Sequence, residues 1–196
     1  MLMAIAIASA TALTACSDDE DDKTVELSKF AIGPTATALT PGETLNVNAQ
    51  FFPEAVTDKT VVWTSSDDEV ATVANGVVTA IKPGTATITA TPAANPSLAK
   101  TLTVSVTNKA MSASGEVSGT WEAYTTVTVT GQLKVPADKS LTIEKGVEVI
   151  FNSSDGNGTG IEFTVDGNIY CQGTEEAPIL FSVPASERSY ANVTNC

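Results

Sequence analysis

The sequence predicts an all-β chain: a two-sheet sandwich followed by the beginning of a stack of strands. Three observations support this. Apolar and polar residues alternate with period two in short segments, turn dipeptides separate these segments, and a strand-sized pattern recurs in the second half. The chain has 196 residues, of which 42% are hydrophobic, enough for one or two modest cores.

The first 16 residues have the form of a signal peptide. Residues 1–12 are apolar and small, and this stretch is too short to cross a bilayer. The sequence LTAC at 13–16 resembles the lipobox of bacterial lipoproteins, which implies that Cys16 becomes the lipidated first residue. The start MLM lacks the usual Lys or Arg, and a plain secretory signal is the alternative.

Residues 17–24 are predicted to be an acidic tether, because the block SDDEDD at 17–22 repels itself and cannot collapse. An acidic run directly after a lipidated cysteine also resembles the export signal of Bacteroidetes surface lipoproteins. We therefore expect a protein of the outer membrane, held by its N-terminal lipid and exposed on the cell surface.

The charge of the chain excludes some classes of partner. There are 23 acidic and 10 basic residues, giving a net charge of −13 with no basic cluster, which argues against nucleic acid. The sequence contains no His, so any catalytic triad that needs an imidazole is excluded. We expect no cofactor.

Residues 25–108 are predicted to be the sandwich. In TLNVNAQF (44–51), TATITAT (85–91) and TLTVSVT (101–107), the apolar side chains point inward and Asn, Gln or Thr point outward. Asn75-Gly76 between two apolar runs is a strong hairpin signal, because both residues tolerate positive φ. Pro41-Gly42 and Pro83-Gly84 indicate two further turns.

Residues 25–107 resemble the bacterial immunoglobulin-like group 2 family through ALTPGETLNV, VVWTSSDDEVATVANGVVTAIKPG and TATITAT. The resemblance implies an immunoglobulin-like β-sandwich used as a spacer or adhesive module at the cell surface. Trp63 is expected to pack in the core rather than to bind a ligand. The run 65–69 (SSDDE) is expected to be a charged connecting loop rather than a cation site.

Residues 109–119 are small and polar and are predicted to be a linker. Residues 120–196 then contain a weak repeat: the segments 127–135, 141–149 and 163–171 share apolar, Thr, apolar, polar, Gly and two alternating apolar positions. Short-strand repeats near 20 residues are typical of β-solenoids.

Residues 133–183 resemble the opening coils of pectate-lyase-like right-handed parallel β-helices. That superfamily includes lyases, hydrolases, adhesins and structural proteins, so the fold names no chemistry. The resemblance implies a partial β-helix that continues past residue 196.

Candidate sites in the second half are weak. Asp155, Asn157 and Asp166 partly match a calcium loop, but the flanking residues are typical of strands, and a surface loop is the preferred interpretation. Glu144 and Asp166 are equivalent in two repeats and would lie about 5 Å apart in adjacent coils. Exposed charges at turns are the preferred interpretation of that pair.

Cys171 alternates with apolar neighbours and is predicted to be a small core residue, whereas Cys196 lacks context. Whether these two cysteines form a disulfide is left open.

The sequence shows no catalytic constellation. The preferred hypothesis is a surface lipoprotein with a binding, adhesion or display role, possibly towards glycans. The alternative is a truncated β-helical polysaccharide lyase or hydrolase whose active coils lie beyond residue 196.

Overall fold

The computed structural model describes residues 24–152 and 160–187. In these residues the regular structure is β-strand, apart from two short 3₁₀ turns at Pro96–Leu98 and Ala185–Glu187. The prediction of an all-β chain is therefore confirmed for this part.

The first region contains nine strands. They are β1 (Lys29–Gly33), β2 (Ala36–Leu39), β3 (Thr44–Asn46), β4 (Asn48–Phe52), β5 (Val61–Ser65), β6 (Ala71–Ala74), β7 (Val77–Ala80), β8 (Gly84–Pro92) and β9 (Lys100–Val106).

Two sheets of this region enclose a core. One has the order β2-β9-β8-β5 and the other β3-β7-β6, while β1 and β4 form a separate antiparallel pair. The neighbours pair antiparallel, except β2 and β9, which run parallel. Buried side chains from both sheets meet between them, as the alternating pattern predicts, including Val78, Ile88, Leu102 and Val104.

The predicted hairpin between β6 and β7 is confirmed. Asn75 and Gly76 have φ values of 50° and 80°, the left-handed region that a tight two-residue turn requires. This turn fixes the register of the hairpin, in which Ala74 is opposite Val77 and Val73 is opposite Val78.

The second region contains eight strands in the described residues. They are β10 (Lys109–Glu116), β11 (Gly119–Trp121), β12 (Thr125–Val135), β13 (Ser140–Ile143), β14 (Glu148–Phe151), β15 (Phe163–Val165), β16 (Asn168–Cys171) and β17 (Leu180–Ser182).

Among the described residues of this region, all strand pairs are parallel. One sheet has the order β10-β12-β14-β17, with β15 on the second half of β12, and the other has the order β11-β13-β16. The chain passes back and forth between the sheets, and Trp121, Val127, Leu141 and Val149 are buried between them. In such an arrangement the inward-facing apolar side chains of successive parallel strands line up and form a continuous core between the two sheets.

The segment predicted as a linker differs from that prediction. Within residues 109–119, Lys109–Glu116 forms β10 and pairs parallel with β12. The small side chains do not prevent pairing, because most of β10 is exposed and only Ala113 is buried in the core. The covalent connection between the two regions is therefore only Thr107 and Asn108.

The segments 127–135, 141–149 and 163–171 contain the predicted strands, but equivalent positions of the repeat do not pair with one another. Trp121 pairs with Ile143 and Val127 with Val149, while Leu133 pairs with Phe163. The end of the first repeated segment (133–135) thus lies beside the beginning of the third (163–165). All strands of the repeat have the same apolar alternation, so the sequence pattern alone does not determine which strand pairs with which.

Candidate functional site

The junction between the two regions is held at both ends by hydrogen bonds. The N–H of Thr107 donates to the carbonyl of Leu39 at 2.9 Å, in the sandwich. The Asn108 side-chain amide donates to the Thr126 hydroxyl at 3.1 Å, in the strand stack. A two-residue connection that is bonded to both bodies leaves few backbone dihedral angles free to act as a hinge.

Tyr124 occupies a tight turn beside this junction. Its φ is 55°, a left-handed conformation that is uncommon for a residue with a bulky side chain. Its carbonyl accepts from the N–H of Lys109 at 3.0 Å, and its own N–H donates to the carbonyl of Lys145 at 3.1 Å. The turn therefore ties β10 to the loop that follows β13.

Two ion pairs lie near the junction. Lys109 donates to the Glu122 carboxylate, which lowers the pKa of Glu122. In the sandwich, Lys82 donates to Glu69, and this hydrogen bond raises the pKa of Lys82. All of these groups are on the surface, where ion pairs add little stability.

A cleft of about 380 Å³ opens where the two regions meet. Residues of the sandwich and of the strand stack line it together: Pro41, Gly42, Ile81, Lys109, Glu122, Ala123, Tyr124, Glu144 and Lys145. The cleft joins residues of both regions into one surface. The cleft was not predicted from the sequence, because Lys109 belongs to the segment that was predicted to be a linker.

Three of the predicted site residues lie outside the described residues. These are Cys16, the predicted lipidation site, and the loop residues Asp155 and Asn157. The signal peptide at 1–16 and nearly all of the acidic tether at 17–24 are also outside, as is Cys196.

Asp166, the third calcium-loop candidate, forms an ion pair. Its carboxylate lies 2.8 Å from the Lys134 ammonium, and the hydrogen bond raises the pKa of Lys134. Among residues 24–152 and 160–187 there is no cluster of three His, Cys, Asp or Glu side chains able to hold a metal ion.

Glu144 and Asp166 are not brought together as a pair. The Glu144 carboxylate accepts from the N–H of Ala123 at 2.8 Å, in the loop after β11, and Asp166 forms an ion pair with Lys134. They follow strands of different sheets, β13 and β15, so the spacing of about 5 Å between neighbouring strands does not apply to them.

Trp63 packs in the core as predicted. It is partly buried and contacts both hydrophobic clusters of the sandwich, one around Ile88 and one around Phe30. No disulfide is needed to hold it there.

The run 65–69 forms a connecting turn. The Asp67 carboxylate accepts from the N–H groups of Glu69 and Val70 at 3.0 and 3.3 Å, and the Ser65 hydroxyl donates to the Ala71 carbonyl at 2.7 Å. Asp67 therefore satisfies backbone donors of its own turn, as Asp commonly does.

The prediction that Cys171 is a core residue is wrong, because this thiol is exposed. The alternation did predict the correct face of the strand, because Cys171 lies opposite the buried Ile143. However, β16 is the last strand of its sheet among the described residues, and no further described strand covers it.

The region that resembled an immunoglobulin-like module matches a family model. Residues 26–104 match the bacterial Ig-like domain of group 2. These residues are a bacterial Ig-like domain. The resemblance predicted for residues 25–107 is thereby confirmed, and the sandwich is called the Ig-like domain below.

Three relatives share part of the sequence. A 3-O-alpha-D-galactosyl-alpha-L-arabinofuranosidase of Bifidobacterium longum is 53% identical over 70 residues, 35% of this chain. An alpha-L-arabinofuranosidase of the same species is 34% identical over 119 residues, 58% of this chain. An uncharacterized protein of Clostridium acetobutylicum is 38% identical over 90 residues, 43% of this chain.

The chain covers only a small part of these relatives: 6%, 10% and 23% of their respective lengths. The stretch aligned with the alpha-L-arabinofuranosidase is longer than residues 26–104, so it extends outside the Ig-like domain. In the described ranges of the chain, no helix has the length and hydrophobicity that crossing a membrane requires.

Proposed function

We propose that this chain is a cell-surface lipoprotein in which the Ig-like domain is a rigid spacer that presents a parallel β-helix to arabinose-containing glycans. The observation that carries this proposal is the junction. Two residues, Thr107 and Asn108, connect the bodies, and each is hydrogen-bonded to one of them. A spacer that keeps the orientation of its cargo needs such a connection.

The β-helix part of the proposal is supported by the strand pairing. Parallel strands recur 22 residues apart at Trp121 and Ile143 and again at Val127 and Val149, in two alternating sheets. A chain that coils once per repeat gives this arrangement, and the right-handed sense follows from the usual handedness of parallel crossovers.

The glycan part is supported by the relatives. Two of them are named as arabinofuranosidases, enzymes that act on arabinose-containing saccharides. The anchor is supported by the LTAC sequence ending at Cys16. Lipidation of that cysteine would hold the protein at the membrane, and the acidic residues after it would keep the domain away from the surface.

A second candidate function is that of a part of a glycoside hydrolase. The names of the two bifidobacterial relatives favour it. Release of arabinose or galactose from arabinogalactan by the purified chain would favour this candidate over pure display.

The rigid spacer is tested by inserting Gly-Gly-Ser-Gly between Thr107 and Asn108 in the chain carrying Cys16→Ser. Small-angle X-ray scattering is expected to show one shape for the parent protein and a larger, flexible one for the insertion variant. The same insertion between Ala93 and Ala94, two exposed residues within the Ig-like domain, is the control. Equal flexibility of the parent and the junction variant would contradict the proposal.

The anchor is tested separately by cell fractionation. Cys16→Ser is expected to move the protein from the membrane fraction to the soluble fraction. Retention of the variant in the membrane would show that the lipid is not the anchor.

A further inference from the structure

We infer that a cleft beside Phe52 in the Ig-like domain binds a neutral sugar ring of a glycan. The cleft has a volume of about 580 Å³, within the range of small-molecule sites. It is lined by Ala49, Gln50, Phe51, Phe52, Glu54 and Lys59. The inference deepens the proposed function, on which it rests, because it assigns glycan contact to one face of the spacer.

Phe52 supplies an aromatic platform. Alternation along β4 turns Phe51 toward the core, where its ring centroid lies 5.3 Å from that of Phe30, and turns Phe52 outward. Phe52 is 42% exposed, although a large apolar ring gains stability from burial. The apolar C–H faces of sugar rings pack on exposed aromatic rings, which gives this exposure a use.

A cation lies over the same ring. The Lys29 ammonium is 5.2 Å from the centroid of the Phe52 ring, because Lys29 and Phe52 are opposite each other on β1 and β4. Lys29 does not line the cleft, and its contact holds the Phe52 ring in position.

Polar side chains surround the platform. Gln50 lies on the same face of β4 as Phe52, and Glu54 and Lys59 complete the rim. In the part of the chain that the structure describes, these three side chains make no hydrogen bond or ion pair with the protein. Together they offer amide, carboxylate and ammonium groups, which match the donors and acceptors of sugar hydroxyls.

The charges of the rim favour a neutral ligand. Glu54 and Lys59 have opposite signs, and the whole chain carries a net charge of −13, which disfavours polyanions. An extended peptide is the alternative occupant, because β4 pairs only with β1 in the described sheets and leaves an edge to which a strand could add. The polar rim and the aromatic platform favour the sugar.

The experiment measures affinity for arabinogalactan by affinity electrophoresis, using the full chain with Cys16→Ser. Phe52→Ala is expected to weaken binding by at least about fivefold, and Phe52→Trp to retain it, because a larger ring keeps the platform. Gln50→Ala is expected to weaken binding by a smaller factor. Val62→Ala is the control, since Val62 is an exposed apolar residue (55%) of the same domain that does not line the cleft.

The outcomes separate the site from the function. Loss of affinity in Phe52→Ala and Gln50→Ala, with native circular dichroism and an unchanged control, supports the site. Binding by the parent protein that Phe52→Ala does not alter overturns the site while the glycan-binding function stands. Absence of binding by the parent overturns both. Displacement of the glycan by an unrelated extended peptide would assign the cleft to peptide binding and overturn the inference.

Discussion

The indole of Trp63 lies directly against the turn glycine Gly76. A Cβ at Gly76 would be 3.3 Å from Cζ2 of Trp63 and 3.0 Å from the carbonyl oxygen of Val47. The hairpin turn and the core aromatic side chain are thus coupled, because this position needs both a left-handed backbone and the absence of a side chain.

Gly76→Ala is expected to destabilise the Ig-like domain by about 1–3 kcal/mol, since the left-handed φ of 80° and the contact with Trp63 both act against it. Urea unfolding followed by circular dichroism measures this loss. Gly42→Ala is the control: its φ is 89°, but nothing lies within 4 Å of an added Cβ. Equal losses in the two variants would show that contact with Trp63 contributes nothing.

Gly146→Ala is expected to be destabilising for a similar reason in the strand stack. An added Cβ would lie 2.5 Å from Cδ1 of Tyr124, and φ at Gly146 is 69°. A double-mutant cycle with Tyr124→Ala separates the two causes. The cost of Gly146→Ala is expected to fall when Tyr124 is absent, leaving about 1–2 kcal/mol from the backbone. An unchanged cost would show that the ring moves aside freely.

The ion pair between Lys109 and Glu122 predicts a small pH dependence of stability. The hydrogen bond from Lys109 lowers the pKa of Glu122 below its ordinary value of 4.5. A carboxyl whose pKa is lower in the folded state binds protons more readily when unfolded, so its stabilising effect is complete above about pH 4.5 and is lost as the pH falls through the folded-state pKa.

We therefore expect the stability of Glu122→Gln to fall less than that of the parent when the pH is lowered. The difference is expected to be small and to shrink at high salt, because the ion pair is exposed. Melting temperatures measured from pH 3 to 7 give the comparison. Glu175→Gln, a change at an exposed carboxylate in the same region, is the control. An identical pH profile for Glu122→Gln and the parent would contradict the assignment.

The exposed thiol of Cys171 is expected to react with a disulfide reagent in the native protein as fast as in the unfolded chain. A chain in which Cys16 and Cys196 are replaced by Ser isolates this reaction. Slow labelling that accelerates in urea would indicate that Cys171 is covered by residues outside the described ranges.

Much of the Ig-like domain could be predicted, because local signals there agree with one another. Asn75-Gly76 requires a specific turn, and alternation in the segments 85–91 and 101–107 places Ile88 and Leu102 in the core. The family match covers the same residues, 26–104.

The strand stack was harder to predict, because its information is not local. Alternation shows which face of a strand is apolar, but not which strand lies beside it, so the pairing of Leu133 with Phe163 and the hydrogen bond from Ala123 to Glu144 could not be derived from the sequence. Alternation places Cys171 on the same face as the buried Ile143, but it does not show whether another strand covers β16, and Cys171 is exposed. The junction cleft combines residues that are distant in sequence, and the residues of the Phe52 cleft form no recognisable sequence motif. Neither cleft could therefore be predicted from the sequence.

The parallel pairing of β2 with β9 determines how the domain responds to mechanical force. Tension applied between the start of β2 and the end of β9 pulls the two strands past each other along their length. The hydrogen bonds between Ala36–Leu39 and β9 then resist together instead of opening one after another. Tension in this direction therefore loads all of these hydrogen bonds at once, and the Ig-like fold resists it without unravelling from one end.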